Sequence, residues 1–349
     1  MRISHKHPPL ISGVDHLSLD KRNFDLSRDD IEGICRFFAI GKLRHYEKEK
    51  GITISHSNFF FFVATNKGEY AFKFYPSDAA KTVAIEYAIN RLLLKKHFLT
   101  PLMYAGHDGR SFLNSNGRLA TCYSYISGSQ AWQHIKQRNI FPKINAAILS
   151  LKNILSANMD RMVWHKQAAL PLSAGSLVRA SCAMAPYDQK KTIDAVLKNV
   201  CQTYQDHRPL FTRQLIHNNI TLTNLLIHQE TVYTLDLSHI REDYILSDLA
   251  SLVISCLFFN VSPTTVKTII KNYFTQHKIE QEHLPVLNTL IQIGLVKEYL
   301  TNIRREKSIG SSVYPLDIVR TYRSLLRTRK ETITAVLKDM QTAHHLILQ

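Results

Sequence analysis

No stretch of this chain approaches the roughly eighteen consecutive apolar residues that a membrane-spanning helix needs. Its opening residues, Met1-Arg-Ile-Ser-His-Lys-His-Pro-Pro-Leu10, lead into no apolar run of the signal-peptide kind. Neither a membrane span nor a secretory leader is therefore expected. Cysteine is scarce: Cys35, Cys122, Cys182, Cys201 and Cys256 are odd in number and widely scattered. That spacing argues against a disulfide framework or a cysteine metal site, and fits reduced, mostly buried thiols of a cytoplasmic protein. Acidic residues are also in short supply, 28 Asp and Glu against 44 Lys and Arg, which leaves a net charge of +16. The excess gathers toward the C-terminus at Arg304, Arg305, Lys307, Arg320, Arg323, Arg327, Arg329 and Lys330. The later members recur mostly at helical spacing, so they predict a basic helical face that is either simply solvated or open to a protein or anionic partner. No nucleic-acid fold or aromatic stacking motif accompanies them, so a specific nucleic acid is not expected. No internal repeat is visible.

What remains is a globular composition, 45% hydrophobic over 349 residues, long enough for two domains or two lobes. Residues 1–24 are polar and aperiodic and predict an irregular arm. Ser27 begins a capping pattern, and Ile31, Ile34, Phe37 and Phe38 follow at helical spacing. Strands are predicted at 43–47, 59–65 and 70–75, the last two joined by the turn Asn66-Lys-Gly68. The run Phe59-Phe-Phe-Phe-Val63 is too apolar for a one-sided edge strand and predicts burial. A helix is expected at 81–96 and a further strand at 119–125. Residues 25–125 thus make a first domain and 126–128 a connection. Residues 129–349 read as mainly helical, interrupted by one two-strand element at 225–228 and 232–235 around the turn Gln229-Glu-Thr231. The segment 164–186, rich in Ala, Ser, Gly and Pro, predicts a loop or broken helix. Trp132 and Trp164 are expected to pack, with lining of the acceptor pocket the alternative reading for Trp164.

The stretch Leu215-Ile-His-Asn-Asn-Ile-Thr-Leu-Thr-Asn224, followed by Asp236, carries the chemistry. Phosphoryl transfer needs a divalent metal on the nucleotide phosphates, held by hard oxygens, and an acceptor in line with phosphorus. Asn224 offers a carbonyl oxygen just before one strand, and Asp236 a carboxylate just after the returning strand. A hairpin of that length can bring both ends beside one ion. Asn219 lies in the preceding loop, within reach of an acceptor, and the imidazole of His217 can brace the loop's backbone. An Asn and an Asp at such spacing are common, and alone they would not establish a site.

In its motifs the chain resembles the aminoglycoside phosphotransferase and choline kinase superfamily, and within it the type II homoserine kinases. That pattern reads His-x-Asp-x-x-x-x-Asn, a hairpin, Ile-Asp-Phe, and an Asp-Leu-Ala further on. The matching residues here are His217, Asn219, Asn224, Leu235-Asp236-Leu237 and Asp248-Leu-Ala250. Lys73 in Tyr70-Ala-Phe-Lys-Phe-Tyr75 matches the phosphate-pairing lysine, and Glu86 the helix glutamate that orients it. Residues 51–58 occupy the place of the phosphate-covering loop, with Ser55 and Ser57 as hydroxyl contacts. Tyr123 to Gly128, Tyr125 included, fits the hinge where backbone meets adenine. The resemblance implies an α+β, protein-kinase-like fold with a small mixed N-lobe and a mainly helical C-lobe. It also implies ATP and Mg²⁺ as cofactors, with the metal on Asn224 and Asp236, and a small hydroxyl-bearing substrate.

One departure matters. Asn219 stands where the pattern has its catalytic Asp, and an amide cannot take a proton from an alcohol at neutral pH. Lost base assistance costs about 10²–10⁴ in rate, roughly 3–6 kcal/mol. The expected function is a kinase-like ATP/Mg²⁺-binding protein with weak or atypical phosphotransfer. The alternative is a pseudokinase that binds nucleotide or a protein partner without transfer. A nearby carboxylate such as Asp243, or His239, would be a substitute base.

Overall fold

The computed structural model describes residues 26–48, 59–137, 139–158, 187–309, 316–326, 335 and 337. The expected N-terminal arm, the loop carrying Ser55 and Ser57, the segment 164–186 with Trp164, and Arg327, Arg329 and Lys330 lie outside them. The chain divides into two compact units. The first comprises residues 1–129 and 226–238, the second 130–225 and 239–349. Among the described residues the first unit is a sheet with helices on its faces, and the second is largely helical. This is the α+β, two-lobed class expected of a protein-kinase-like chain.

In the first unit, α1 (Arg28–Phe37) starts at a reciprocal cap. The Asp30 backbone N–H donates to Ser27 Oγ at 3.1 Å, while the Ser27 N–H donates to Asp30 Oδ2 at 2.9 Å. Strands β1 (Leu43–Lys48), β2 (Phe59–Thr65) and β3 (Glu69–Pro76) follow. Then come α2 (Ala80–Lys95), β4 (Leu113–Ser115) and β5 (Arg118–Ser124). The five strands pair in the order β1-β2-β3-β5-β4, antiparallel throughout. The three-residue strand β4 was not anticipated from sequence.

Alternation along the strands sorts the sheet into two faces. Phe61, Val63, Phe72, Phe74, Ala120 and Cys122 pack with Ile31, Ile34, Phe37 and Phe38 of and after α1 into one core cluster. Tyr75, Leu119, Val83 of α2 and Met103 form another. The aromatic run in β2 is therefore not uniformly buried: Phe61 and Val63 are, while Phe60 and Phe62 are half-exposed. Its apolar excess reflects an interior strand used on both faces.

The helix α2 is held to the sheet by Asn90, whose amide donates to Pro101 O at 2.8 Å and accepts from the Met103 N–H at 2.9 Å. The hairpin of Leu225–His228 and Thr231–Thr234 turns on Gln229 and Glu230, both at positive φ, so the turn has two residues, not three, and the second strand begins one residue earlier than expected. Within the first unit the hairpin is anchored by Thr234 N–H to Leu99 O at 3.0 Å and by His228 against Ser127 O. Gly128 fits only as glycine there, because a Cβ would lie 2.6 Å from Ile227 O.

In the second unit, helix Ser247–Phe258 is buried along nearly its whole length and packs on helix Leu284–Ile309, which also meets Tyr187–Asp206. Trp132 stacks on Phe259, with ring centroids 5.4 Å apart, in the packing role expected for it. A pair of short antiparallel strands, Arg213–Ile216 and Arg241–Tyr244, was not foreseen. Of the residues of the expected basic face, Arg320 and Arg323 are described. Within Leu316–Ser324, Arg320 lies 3.5 Å from Asp317, and Arg323 is half-buried rather than solvated. Among the described residues no helix is long and apolar enough to cross a membrane.

Substituting Gly128→Ala forces the hairpin backbone away from the connection at 126–129. It should lower unfolding stability by about 1–3 kcal/mol, seen as a lower urea midpoint with unchanged slope.

Candidate functional site

Lys73 sits in the middle of β3 with its ammonium almost fully buried, 3% exposed, and Glu86 on α2 is as deeply placed. A buried cation persists only if paired. Lys73 Nζ lies 2.8 Å from Asp236 Oδ1 and 3.6 Å from Glu86 Oε1. Burial works against its charge, but the two carboxyl groups outweigh that and hold its pKa above the usual 10.5. Asp236 follows the returning hairpin strand, stands at φ 58, and receives Ser238 Oγ–H at 2.6 Å. Its side chain stays 15% exposed, so one face of the carboxylate can meet a ligand.

Two tyrosines complete this cluster, Tyr75 unremarked in the sequence and Tyr123 read there only as part of the hinge. The hydroxyl of Tyr123 donates to Glu86 Oε1 at 2.9 Å, and that of Tyr75 donates to Glu86 Oε2. Burial and the neighbouring Glu86 push both phenols well above 10, so they remain donors. Glu86 is thereby satisfied on both oxygens, which leaves Lys73 free to lean toward Asp236. The signal was present: Lys73 and Tyr75 alternate on β3, and Tyr123 lies in β5 opposite Ala71 in the same set of alternate positions.

The second unit assembles His217, Asn219 and Asn224. Asp248, in the first turn of helix Ser247–Phe258, accepts the backbone N–H of His217 at 3.0 Å and of Asn218 at 2.7 Å. The positive helix end favours a carboxylate there. Burial nevertheless raises Asp248 to about 7, opposed by those two N–H groups. Asn218 stands at φ 62. Its amide, turned to satisfy both ends, donates to Asp243 Oδ2 at 3.2 Å and accepts from Arg241 at 2.9 Å. Asp243 is further tied to Arg241 at 3.1 Å and to the Tyr244 N–H at 2.8 Å. Ser255 Oγ accepts the Leu222 N–H at 2.9 Å, so the same helix fixes both ends of the loop.

Asn224 donates its Nδ2 to Asn219 O at 3.0 Å, and its Oδ1 accepts no hydrogen bond among the described residues. The anchored amide therefore presents its oxygen, the atom a hard cation would use. Asp236 supplies the carboxylate oxygen in its own unit. Each is a hard oxygen of the kind preferred by Mg²⁺, a cation that keeps several waters and takes few protein ligands. Among the described residues no cluster of three or more His, Cys, Asp or Glu offers a full protein cage. His217 is fully buried within the loop. Tyr125, at the connection, packs its ring on Phe62 at 5.6 Å and donates its N–H to Glu69 O at 3.2 Å. The structure thus groups Lys73, Glu86 and Asp236 in one unit and His217, Asn219 and Asn224 in the other.

A buried strand lysine shared by a helix glutamate and a post-hairpin aspartate fits the kinase-like class of fold. Residues 49–283 match the model of the APH phosphotransferase enzyme family, and the chain belongs to that family. No curated protein matches the chain. Solved structures share its fold at low identity. Spectinomycin phosphotransferase, in complex with ADP and spectinomycin, is 13% identical, with a TM-score of 0.68 over 90% of this chain and 99% of that one. Amicoumacin kinase, bound to AMP-PNP and Ca²⁺, is 11% identical, with a TM-score of 0.66 over 88% and 94%. Choline kinase from Cryptosporidium parvum Iowa II is 14% identical, with a TM-score of 0.58 over 90% and 97%.

The raised Asp248 gives a pH signature. A carboxyl that holds its proton more tightly when folded contributes most at low pH, and its contribution falls as pH rises from about 4 toward about 7. Asp248→Asn should flatten that part of a urea-midpoint profile between pH 4 and 7. It should also lower stability throughout, because one backbone N–H loses its acceptor.

Proposed function

We propose that this chain binds ATP with Mg²⁺ and transfers, slowly or atypically, a phosphoryl group to a small acceptor. The observation that carries the reading is the buried Lys73 shared between Glu86 and Asp236. A cation desolvated this far and oriented by a satisfied glutamate is suited to nucleotide phosphate oxygens. In this reading Asp236 and Asn224 hold the metal, Tyr125 and its neighbours meet adenine through backbone, and Ser55 and Ser57 contact phosphate. Bound Mg²⁺ would neutralise phosphate charge. Lys73 then exchanges its contact with Asp236 for one with phosphate, while Tyr75 and Tyr123 keep Glu86 in place. His217 acts as a brace, not as an acid or base. The fold and motifs fit a small-molecule kinase of the homoserine kinase kind without fixing that acceptor.

Asn219 favours a second reading. Its amide cannot accept a proton, and Asp243 is engaged with Arg241 and Asn218. A chain that binds nucleotide without transfer would show the same first-unit cluster.

Calorimetric titration with ATP, with and without Mg²⁺, separates these from a non-nucleotide binding module. We expect Mg²⁺-enhanced binding that weakens by about 10–100-fold in Lys73→Met and Asp236→Ala, the loss of charge-assisted contacts. Full-affinity binding by Asp236→Ala would show that the metal assignment is wrong. Acceptor-dependent ADP release then distinguishes a transferase from a nucleotide-binding pseudokinase.

A further inference from the structure

Resting on the nucleotide-binding reading above, we propose that the acceptor at Asn219 is an oxyanion, a carboxylate or phosphate monoester, and not an alcohol. The side-chain amide of Asn219 makes no hydrogen bond with any described residue. Its Nδ2 is shielded from solvent, and the residue is only 8% exposed. A buried N–H without a partner is costly, and an incoming oxygen acceptor relieves that cost. No acceptor among the described residues reaches it, and the neighbouring Asn224 meets Asn219 only through its own donor, Nδ2, on the Asn219 backbone carbonyl at 3.0 Å.

The two carboxyl groups that brace this loop are also committed. Asp248 spends its oxygens on the N–H groups of His217 and Asn218. Asp243 spends its own on Arg241, Tyr244 and Asn218. Neither is placed to collect a proton from an acceptor. An alcohol must lose a proton during transfer, and neither of these two carboxyl groups is open to take it. An oxyanion has no proton to lose. Its oxygen lone pair forms the new bond to the γ-phosphorus of the nucleoside triphosphate. The bond from that phosphorus to the bridging oxygen breaks, and the nucleoside diphosphate leaves with the electron pair. Asn219 then serves by donating Nδ2–H to the acceptor's other oxygen. An Asp at this position would repel the same acceptor, so the amide works as a selectivity element rather than a lost base.

The test uses the full chain, ¹⁵N-labelled and saturated with Mg²⁺ and AMP-PNP. The Asn219 side-chain NH₂ resonance is assigned by its absence in Asn219→Asp. Acetate, methyl phosphate and ethanol are titrated separately. The proposal expects saturable movement of that resonance with acetate or methyl phosphate, and none with ethanol. Whichever of the two moves it tells a carboxylate from a phosphate acceptor. Asn219→Asp should weaken that oxyanion by at least about tenfold while retaining AMP-PNP binding. Asn219→Ala supplies the same comparison without added charge and should also bind it more weakly. Ethanol moving the resonance as strongly as the anions overturns the proposal, as does no response to either anion. Undiminished anion binding in both variants overturns it too. Failure to bind AMP-PNP at all would instead remove the nucleotide reading on which it rests, and the proposal with it.

Discussion

The first unit depends on one ammonium group facing two carboxyl groups out of water. Lys73 could not be buried to 3% exposure without them, since removing one partner from a buried charged pair costs about 3–5 kcal/mol. Each partner arrives on a different element: Glu86 from α2, Asp236 from the end of the hairpin. The electrostatic requirement therefore fixes where the helix lies on the sheet and where the hairpin ends. Asn90 and Gly128 serve the same arrangement from a distance, the first by stapling α2 to residues 101–103 and the second by letting the hairpin backbone approach closely.

The second unit solves a related problem with backbone donors. A loop is folded against a buried helix, and its backbone N–H groups, taken out of water, need acceptors. Asp248 and Ser255, seven residues apart on one helix, supply them and hold His217 through Leu222 in one shape. What the loop leaves unsatisfied is then informative. Among its side chains Asn219 has a buried amide Nδ2 with no hydrogen-bond partner among the described residues, in a loop whose backbone N–H groups at His217, Asn218 and Leu222 are matched. That contrast is the physical basis for treating the amide as a ligand contact.

Much of this was legible in the chain. Strand β2 appears with the predicted bounds, and β3, β5 and α2 fall within one residue of them, because alternation and helical periodicity are strong there. The Lys73–Glu86 pairing was implied by the family resemblance, and the two side chains do meet at 3.6 Å. The short strands were not legible. Arg213–Ile216 and Arg241–Tyr244 are four residues each, and Arg241-Glu-Asp-Tyr244 reads as a charge run rather than an alternating strand.

By itself the sequence determined the fold class, the family pattern, and the absence of a carboxylate at position 219, because residue type and spacing are properties of the chain alone. Tertiary structure decided how the charges are shared. That Lys73 leans to Asp236 while two tyrosines hold Glu86, and that Asp243 and Asp248 are already spent, depends on atoms brought within 3–4 Å across long stretches of chain. Hydrogen bonding and desolvation act only at such distances, so no spacing rule along the sequence could have assigned them.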